Sequence, residues 1–593
     1  MTDNQQLTQL TQAIDTLYGN SEPSLKDQAN SFLLTFQRSE DAWKLVFPIL
    51  GDESTSLQLR VFMAQTLRSK VQYDFTQLPK ESLVSLKDSL IQLLIAYNGK
   101  SRLITTQLCI SLTYFALQFL EWSNAIQEII NLLSPNSMPT LLEFLTILPQ
   151  ETMDVKKTPL TDEEFDTRTK QLVSSNVEQV LYIMSTLAET RASNASSINT
   201  EILSCIKSWI VDIPFFQILN NDPICSLIFE GISNEDTFDT AVECLTTIIS
   251  ETDVSPDSPN LPVIKALYDQ LIKMSPLIAE SQDDPEKIER FTELFAAAGE
   301  SWQVLIALNP YDFKPLVDVL LQLSSYEEDL DIVKYTFKFW YDLKGLITSE
   351  ARKEARTVFI PVYTDLIMVM LKHLRYPLTS DSIDLKDLFN NDKEAEDKFK
   401  DFRYEIGDVL KDCCSVVGPV NALNIPFSKL QTYMNLLQQG EHVQWQEIEA
   451  SLFSMRAMAT EVPTNENKIL PVIMSYLVQL PENVKVRYAA TLVLGRYTEW
   501  TAKHPEHLEE QLNYIIHGFE QQQSLDVIVA ASHALKYFCM DCSTLLNSYL
   551  EQLFNFYSKV EGSLDIESLY DVTEGIAHVL KEERDFEKLN QDC

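Results

Sequence analysis

Apolar residues recur along most of this chain three or four positions apart, with polar residues between them, which is the spacing of helices buried on one face. Leu7, Leu10, Ile14 and Leu17 mark one such face, and Leu25, Ala29, Phe32, Leu33 and Phe36 mark the next; Gly19 to Ser24 supply the turn. The rhythm continues with Trp43, Phe47 and Leu50, a turn at Gly51 to Ser54, and then Val61, Ala64, Leu67 and Val71. A further pair spans Leu83 to Tyr97 and Leu103 to Leu120, parted by Asn98-Gly99-Lys100. Two helices joined by a short link form an antiparallel hairpin, so residues 1–120 predict three hairpins.

Near the other end the segment VRYAATLVLGRY, starting at Val486, reappears as VIVAASHALKYF, starting at Val527. In that alignment Ala489-Ala490 meet Ala530-Ala531 at an offset of 41 residues, Leu494 meets Leu535 and Tyr497 meets Phe538. Paired small residues inside an amphipathic helix, repeated about every 40 residues, are the mark of HEAT-type hairpins, each of which covers its apolar face only by stacking on its neighbours. The predicted fold is therefore all-α, a right-handed superhelical solenoid of HEAT-type antiparallel helix hairpins. Met153 to Thr169, Glu251 to Pro262, Ser324 to Asp331 and Asp381 to Asp401 interrupt the rhythm and read as loops or insertions.

Composition supports this architecture. The 593 residues exceed what one globular core holds, and 13 glycines are too few for the tight turns of an all-β fold or for phosphate-cradling loops. The formal net charge of −39 opposes contact with a phosphate backbone and suits basic partners, although acidity also serves solubility alone. Direct nucleic-acid binding is thus disfavoured. The N-terminus shows no basic and apolar leader pattern, and Leu103 to Leu120, uncharged but broken up by Thr and Gln, reads as a core helix and not a membrane span. Nine cysteines in apolar helical context, without framework spacing, suit a reducing compartment.

Chemistry-bearing motifs are scarce. No Walker-type loop, G-x-G-x-x-G, G-x-S-x-G or H-E-x-x-H is present, so no catalytic site, metal or cofactor is expected. Cys539-Met540-Asp541-Cys542 is a lone C-x-x-C that continues a repeat helix and reads as buried structure, and His504-Pro505-Glu506-His507 reads as a turn at a helix start. Arg60, Arg68 and Lys70 on one helix and Lys485, Arg487 and Arg496 on another are mixed with apolar residues and read as stems or interhelical pairs.

Two surface signals remain. Glu327, Glu328, Asp329 and Asp331 form one acidic cluster; Asp381, Asp384, Asp387, Asp392, Glu394, Glu396 and Asp397 form another, which is either a solvated loop or a dock for a basic partner. Polar stripes on second helices, with Lys26, Asp27 and Asn30 on the first, Gln58, Gln65, Ser69 and Gln72 on the next and Gln107, Ser111 and Gln118 on the third, are candidates for a ligand-facing surface or plain wet faces.

Several longer stretches carry a resemblance. FQRSEDAW (Phe36 to Trp43), FMAQTLRSKVQYDFTQLP (Phe62 to Pro79), TQLCISLTYFALQFLEW (Thr106 to Trp122), LLEFLTILPQE (Leu141 to Glu151), FKFWYDL (Phe337 to Leu343), DFRYEIGDVLKDCCSVVG (Asp401 to Gly418) and WQEIEASLFSMRAMATEV (Trp445 to Val462) follow in order. In these the chain resembles the transportin-SR branch of the importin-β karyopherins, in its fungal form. The resemblance implies a monomeric import receptor, not an enzyme, that shuttles between cytoplasm and nucleus, carries RNA-binding or serine/arginine-rich (SR) proteins past Phe-Gly nucleoporins, and releases them to Ran-GTP. It divides the chain into an importin-N-like Ran-binding region at 1–150 and continuing repeats at 151–593. It places Ran on the stripes containing Asp27, Asn30, Gln65 and Gln107, with Glu327, Glu328 and Asp329 or the Asp381 to Asp397 region as central candidates. Relatives run beyond 593 residues and carry an Arg-rich helix for phosphorylated SR segments in later repeats; no such helix stands here, so the C-terminal cargo-binding repeats are expected to be missing. A static HEAT scaffold and an export receptor are the competing readings.

Overall fold

The computed structural model describes residues 3–135, 137–153, 158–190, 198–255, 257–378, 382, 384–520 and 524–583. Among them there is helix and turn but no strand. The chain forms two compact units, Met1–Leu271 and Ile272–Cys593. No helix among the described residues is long and apolar enough to cross a membrane.

The first unit opens with α1 (Asp3–Tyr18), α2 (Pro23–Arg38), α3 (Asp41–Gly51), α4 (Leu57–Tyr73), α5 (Leu83–Tyr97), α6 (Arg102–Gln118), α7 (Ala125–Leu133) and α8 (Met138–Glu151). Local chemistry sets the ends. The Asp52 carboxylate accepts from the Ser54 backbone N–H at 2.9 Å and its hydroxyl at 2.7 Å, Ser56 caps α4 by accepting from Leu59 N–H, and Gly99, at φ 71°, takes the left-handed turn between α5 and α6. Consecutive pairs pack as hairpins, and the second helices stack in turn: α4 on α6, α6 on α8, α8 on Asn199–Trp209, and that helix on Phe238–Ser250. Open backbone carbonyls are taken up by side chains from other helices: the Tyr97 hydroxyl donates to Leu50 O, at the end of α3, at 2.6 Å, and the Trp209 indole N–H donates at 2.8 Å to Leu145 O, which Pro149 leaves without its helical N–H partner.

The second unit repeats the scheme. Its second helices, Phe337–Ile347, Lys393–Val417, Trp445–Ala457, Val484–Arg496, Leu525–Asp541 and Ile566–Leu580, each pack on the next. The 41-residue offset is visible as atoms: Ala489, Ala490, Ala530 and Ala531 are all buried, and a Cβ on Gly495 would sit 2.9 Å from Ala534 Cα and Cβ. Gly575 repeats this approach one helix later, its absent Cβ 3.0 Å from Lys536 Cα. Small residues recur because two helix backbones meet there. The Tyr497 hydroxyl donates to Met455 O at 2.9 Å, as Tyr97 does in the first unit.

Several expectations need correction. Leu25 and Phe32 lie exposed, at 47% and 37%, so the buried face of α2 is Ala29, Leu33 and Phe36. The segment read as a loop through Thr169 becomes helix at Asp162, where Thr161 and Glu164 form a reciprocal capping box that holds the Glu164 carboxyl below its usual range. Likewise a long helix begins at Lys393, inside the segment Asp381 to Asp401, because Asp392 caps it by accepting from Ala395 N–H at 3.1 Å.

Candidate partner-binding surfaces

The second helices of the first unit carry the expected candidates. Asp27 and Asn30 on α2 and Gln65 on α4 are exposed; Gln107 on α6 is half-buried and accepts from Arg68 Nη1 at 3.4 Å, tying α4 to α6. The rest of the stripe behaves differently from the expected wet face. Gln72, Ser111 and Gln118 are buried. Gln118 Nε2 donates to Val71 O at 2.7 Å and Ser111 donates back to Gln107 O, so these two donors are spent on backbone inside the stack, while Gln118 Oε1 is buried without a partner.

The acidic clusters are partly occupied by structure. Asp329 caps Leu330–Lys334 by accepting from Asp331 N–H, Asp384 accepts from Lys386 N–H, and Asp387 accepts from the Ser382 hydroxyl at 2.7 Å. Glu327 pairs with Lys372 and Glu396 with Lys400, while Asp331 pairs with Lys398 and, at 3.4 Å, with Lys334. That last set joins the two clusters, since Lys398 follows Glu394 and Glu396 on one helix and reaches Asp331 on another. Glu328 and Glu394 are exposed. Asp381 lies outside the described residues.

The reactive motifs fall into the core. Cys539 and Cys542 are buried, both thiols pushed up to about 12 chiefly by burial, and Cys542 Sγ donates to Thr498 O at 3.7 Å. Such thiols are poor sources of thiolate for redox or metal chemistry. His504 stacks on Trp500 with ring centroids 4.1 Å apart, and the Pro505–His507 turn follows. Among the described residues no group of three His, Cys, Asp or Glu side chains is placed to hold a metal.

Two buried guanidinium arrangements escape the sequence pattern. Arg168, 1% exposed, donates from Nε to Ala116 O at 2.8 Å and from Nη2 to Phe119 O and Trp122 O at 3.1 and 2.9 Å, closing the C-terminus of α6. Burial lowers its pKa to about 10, which leaves it charged at neutral pH. Arg403, 4% exposed, pairs with Glu449 through Nη2 at 2.8 and 2.6 Å. The partners of Arg168 lie 46 to 52 residues upstream and Glu449 lies 46 downstream, so repeat spacing, and not local pattern, was the signal that could have found them.

Four family models match the chain in succession. The Importin-beta N-terminal domain matches residues 29–96, the Exportin 1-like protein model 101–245, and the second and third Transportin-3/Importin-13 TPR domains 283–373 and 467–556. The mRNA transport regulator MTR10 of Saccharomyces cerevisiae is 42% identical over 623 residues, covering 100% of this chain and 62% of its own length. Transportin MOS14 of Arabidopsis thaliana is 28% identical, over 92% of this chain and 58% of its own, and importin-13 of Homo sapiens 22% identical, over 91% and 56%. The chain thus spans about three-fifths of the length of the curated relatives it matches. The stacked hairpins, the order of the matched domains and the full-length similarity agree: the chain belongs to the importin-β karyopherin family, in the branch that carries the Transportin-3/Importin-13 domains.

Proposed function

We propose that this chain forms part of a nuclear transport receptor that imports RNA-binding or serine/arginine-rich proteins and surrenders them when Ran-GTP binds. The observation that carries this reading is the Importin-beta N-terminal domain match over 29–96, because in this family that domain is the Ran-binding region. It takes in most of α2 and all of α4, where Asn30 and Gln65 stand exposed; Asp27, also exposed, lies two residues before it on α2, and Gln107 is on the next helix of the stack. A net charge of −39 and the exposed carboxylates Glu328 and Glu394 favour basic cargo by steering and orientation. In this account the clusters Glu327 to Asp329 and Asp384 to Glu396 serve as central docks, Phe-Gly nucleoporins bind elsewhere on the repeats, and the protein shuttles between cytoplasm and nucleus. It has no catalytic role.

Ran and cargo exclude one another when each favours a different arrangement of the same repeats, a coupling of about 1–3 kcal/mol, or roughly 5- to 150-fold in affinity. The test is a pull-down on immobilised Ran locked in its GTP or GDP form, with an arginine/serine-rich cargo added as competitor. Capture by the GTP form alone, relieved by cargo, is expected; equal capture by both forms overturns the proposal. The Exportin 1-like match over 101–245 favours export as the second reading, which predicts that cargo binds only together with Ran-GTP.

A further inference from the structure

The second unit contains a cation with no counter-charge. Phe453 on the helix Trp445–Ala457 gathers two guanidinium groups: Arg403 lies 4.3 Å from its ring centroid and Arg456 4.8 Å. Only one carboxylate, Glu449, answers them, and it is engaged by Arg403. Among the described residues the Arg456 guanidinium has neither an ion-pair nor a hydrogen-bond partner. Lys400 nearby is already paired with Glu396. The charge inventory therefore leaves one positive charge uncompensated, in a molecule that is otherwise strongly acidic.

The space beside these groups has the size of a single side chain. Arg403, Arg456, Glu449, Tyr404 and Tyr488 line a cavity of about 150 Å³. Arg403 spends only Nη2 on Glu449, and its Nε is buried with no hydrogen-bond partner, so a donor remains unmet at a side chain 4% exposed. Leaving a guanidinium donor and a desolvated cation unanswered is costly unless something else supplies the acceptor. Tyr404, Phe453 and Arg456 also line a neighbouring cavity of about 1000 Å³, which reaches along the next two helices to Arg496 and Asp541. The small cavity is thus the end of a larger groove and is open to an extended chain.

We infer that the cavity between Arg403 and Arg456 is a receptor for one carboxylate side chain, an Asp or Glu presented by an extended segment of a partner protein lying in the larger groove. A single excess positive charge matches a monoanion; planar guanidinium groups fixed on Phe453 offer the paired donors a carboxylate takes, at little cost in rotamer freedom. The flanking Tyr404 and Tyr488 give apolar ring surface to the residues on either side of it. The site accepts acid where the rest of the molecule prefers base, so it gives a basic partner a fixed register by reading one acidic position. It rests on this geometry alone and not on the transport reading, and it would survive the failure of that reading.

The test is fluorescence anisotropy with the full chain and three labelled nonapeptides of Gly and Ser that differ only at the central residue: Glu, Gln or phosphoserine. The Glu peptide is expected to bind roughly tenfold or more tightly than the Gln peptide, the scale of a hydrogen bond to a charged group. Arg456→Met should erase that difference, whereas Arg496→Met, which alters only the larger cavity, should leave it. Equal binding of the Glu and Gln peptides, or a difference that persists in Arg456→Met, overturns the proposal. Tighter binding of the phosphoserine peptide than of the Glu peptide also overturns it and assigns the cavity to a phosphomonoester instead.

Discussion

Both units of this protein bury arginine, and Arg168 in the first and Arg403 in the second are used in opposite ways. In the first unit Arg168 has no carboxylate, yet its donors close three backbone carbonyls at the end of α6, so its charge is absorbed by the negative end of a helix. In the second unit Arg403 takes the one available carboxylate and Arg456 is left facing a cavity. A buried cation whose three guanidinium nitrogens all donate holds the stack together, while one with a buried nitrogen left unmet points toward a partner. Burial alone does not separate these roles; the inventory of acceptors does.

The largest expected effect breaks the first half of that comparison. Arg168→Met removes the donors from three buried carbonyls, and it should cost about 3 kcal/mol or more in denaturant unfolding of the first unit. A loss under about 1 kcal/mol would show that water replaces the guanidinium easily. Next comes the helix-to-helix approach. Gly495→Ala places a Cβ 2.9 Å from the Ala534 backbone, and although alanine favours a helix by about 1 kcal/mol, overpacking of about 1–3 kcal/mol should leave a net loss in thermal unfolding. A net gain would mean that the two helices can separate freely.

Arg456→Met sharpens the second half. Without a bound partner it should stabilise the second unit slightly, by about 1 kcal/mol, because it removes a desolvated charge that nothing answers. A loss as large as that of Arg168→Met would make Arg456 a structural group. The smallest effect concerns pH. His373 is 4% exposed, its Nε2 lies 2.8 Å from Ser324 O, and burial depresses its pKa despite Glu327, with Lys372 and Arg375 acting in the same direction as burial. The unfolded chain therefore binds the extra proton, so stability is full above the ordinary value of 6.5 and declines as pH falls through that value toward the lower folded pKa. Urea unfolding midpoints measured from pH 7.5 to 5.5 should fall, and His373→Gln should flatten the slope.

The repeat architecture was legible because its signals are local and periodic. Ala489-Ala490 and Ala530-Ala531 mark helices that must approach closely, and the structure places all four in the core. The stripe containing Ser111 and Gln118 misled for a physical reason: inside a stack of helices a polar side chain can spend its donors on backbone, and then spacing alone cannot tell it from a wet face. The acidic segments misled in part, since Asp329, Asp384 and Asp392 cap helices, a role that a charge count does not reveal. Arg168 and Arg456 left no trace in the pattern, because what distinguishes them is a partner in another repeat or the lack of one among the described residues.

The transport account stands most directly on the first three hairpins. The decisive measurement is the affinity of the chain for immobilised Ran in its GTP and GDP forms, repeated with the double variant Asp27→Lys and Gln65→Lys on the exposed faces of α2 and α4. The account predicts strong preference for the GTP form, and a loss of roughly tenfold or more in that affinity in the double variant, with the fold intact by circular dichroism. Equal affinity for the two nucleotide states, or indifference of GTP-form binding to the double variant, would contradict it.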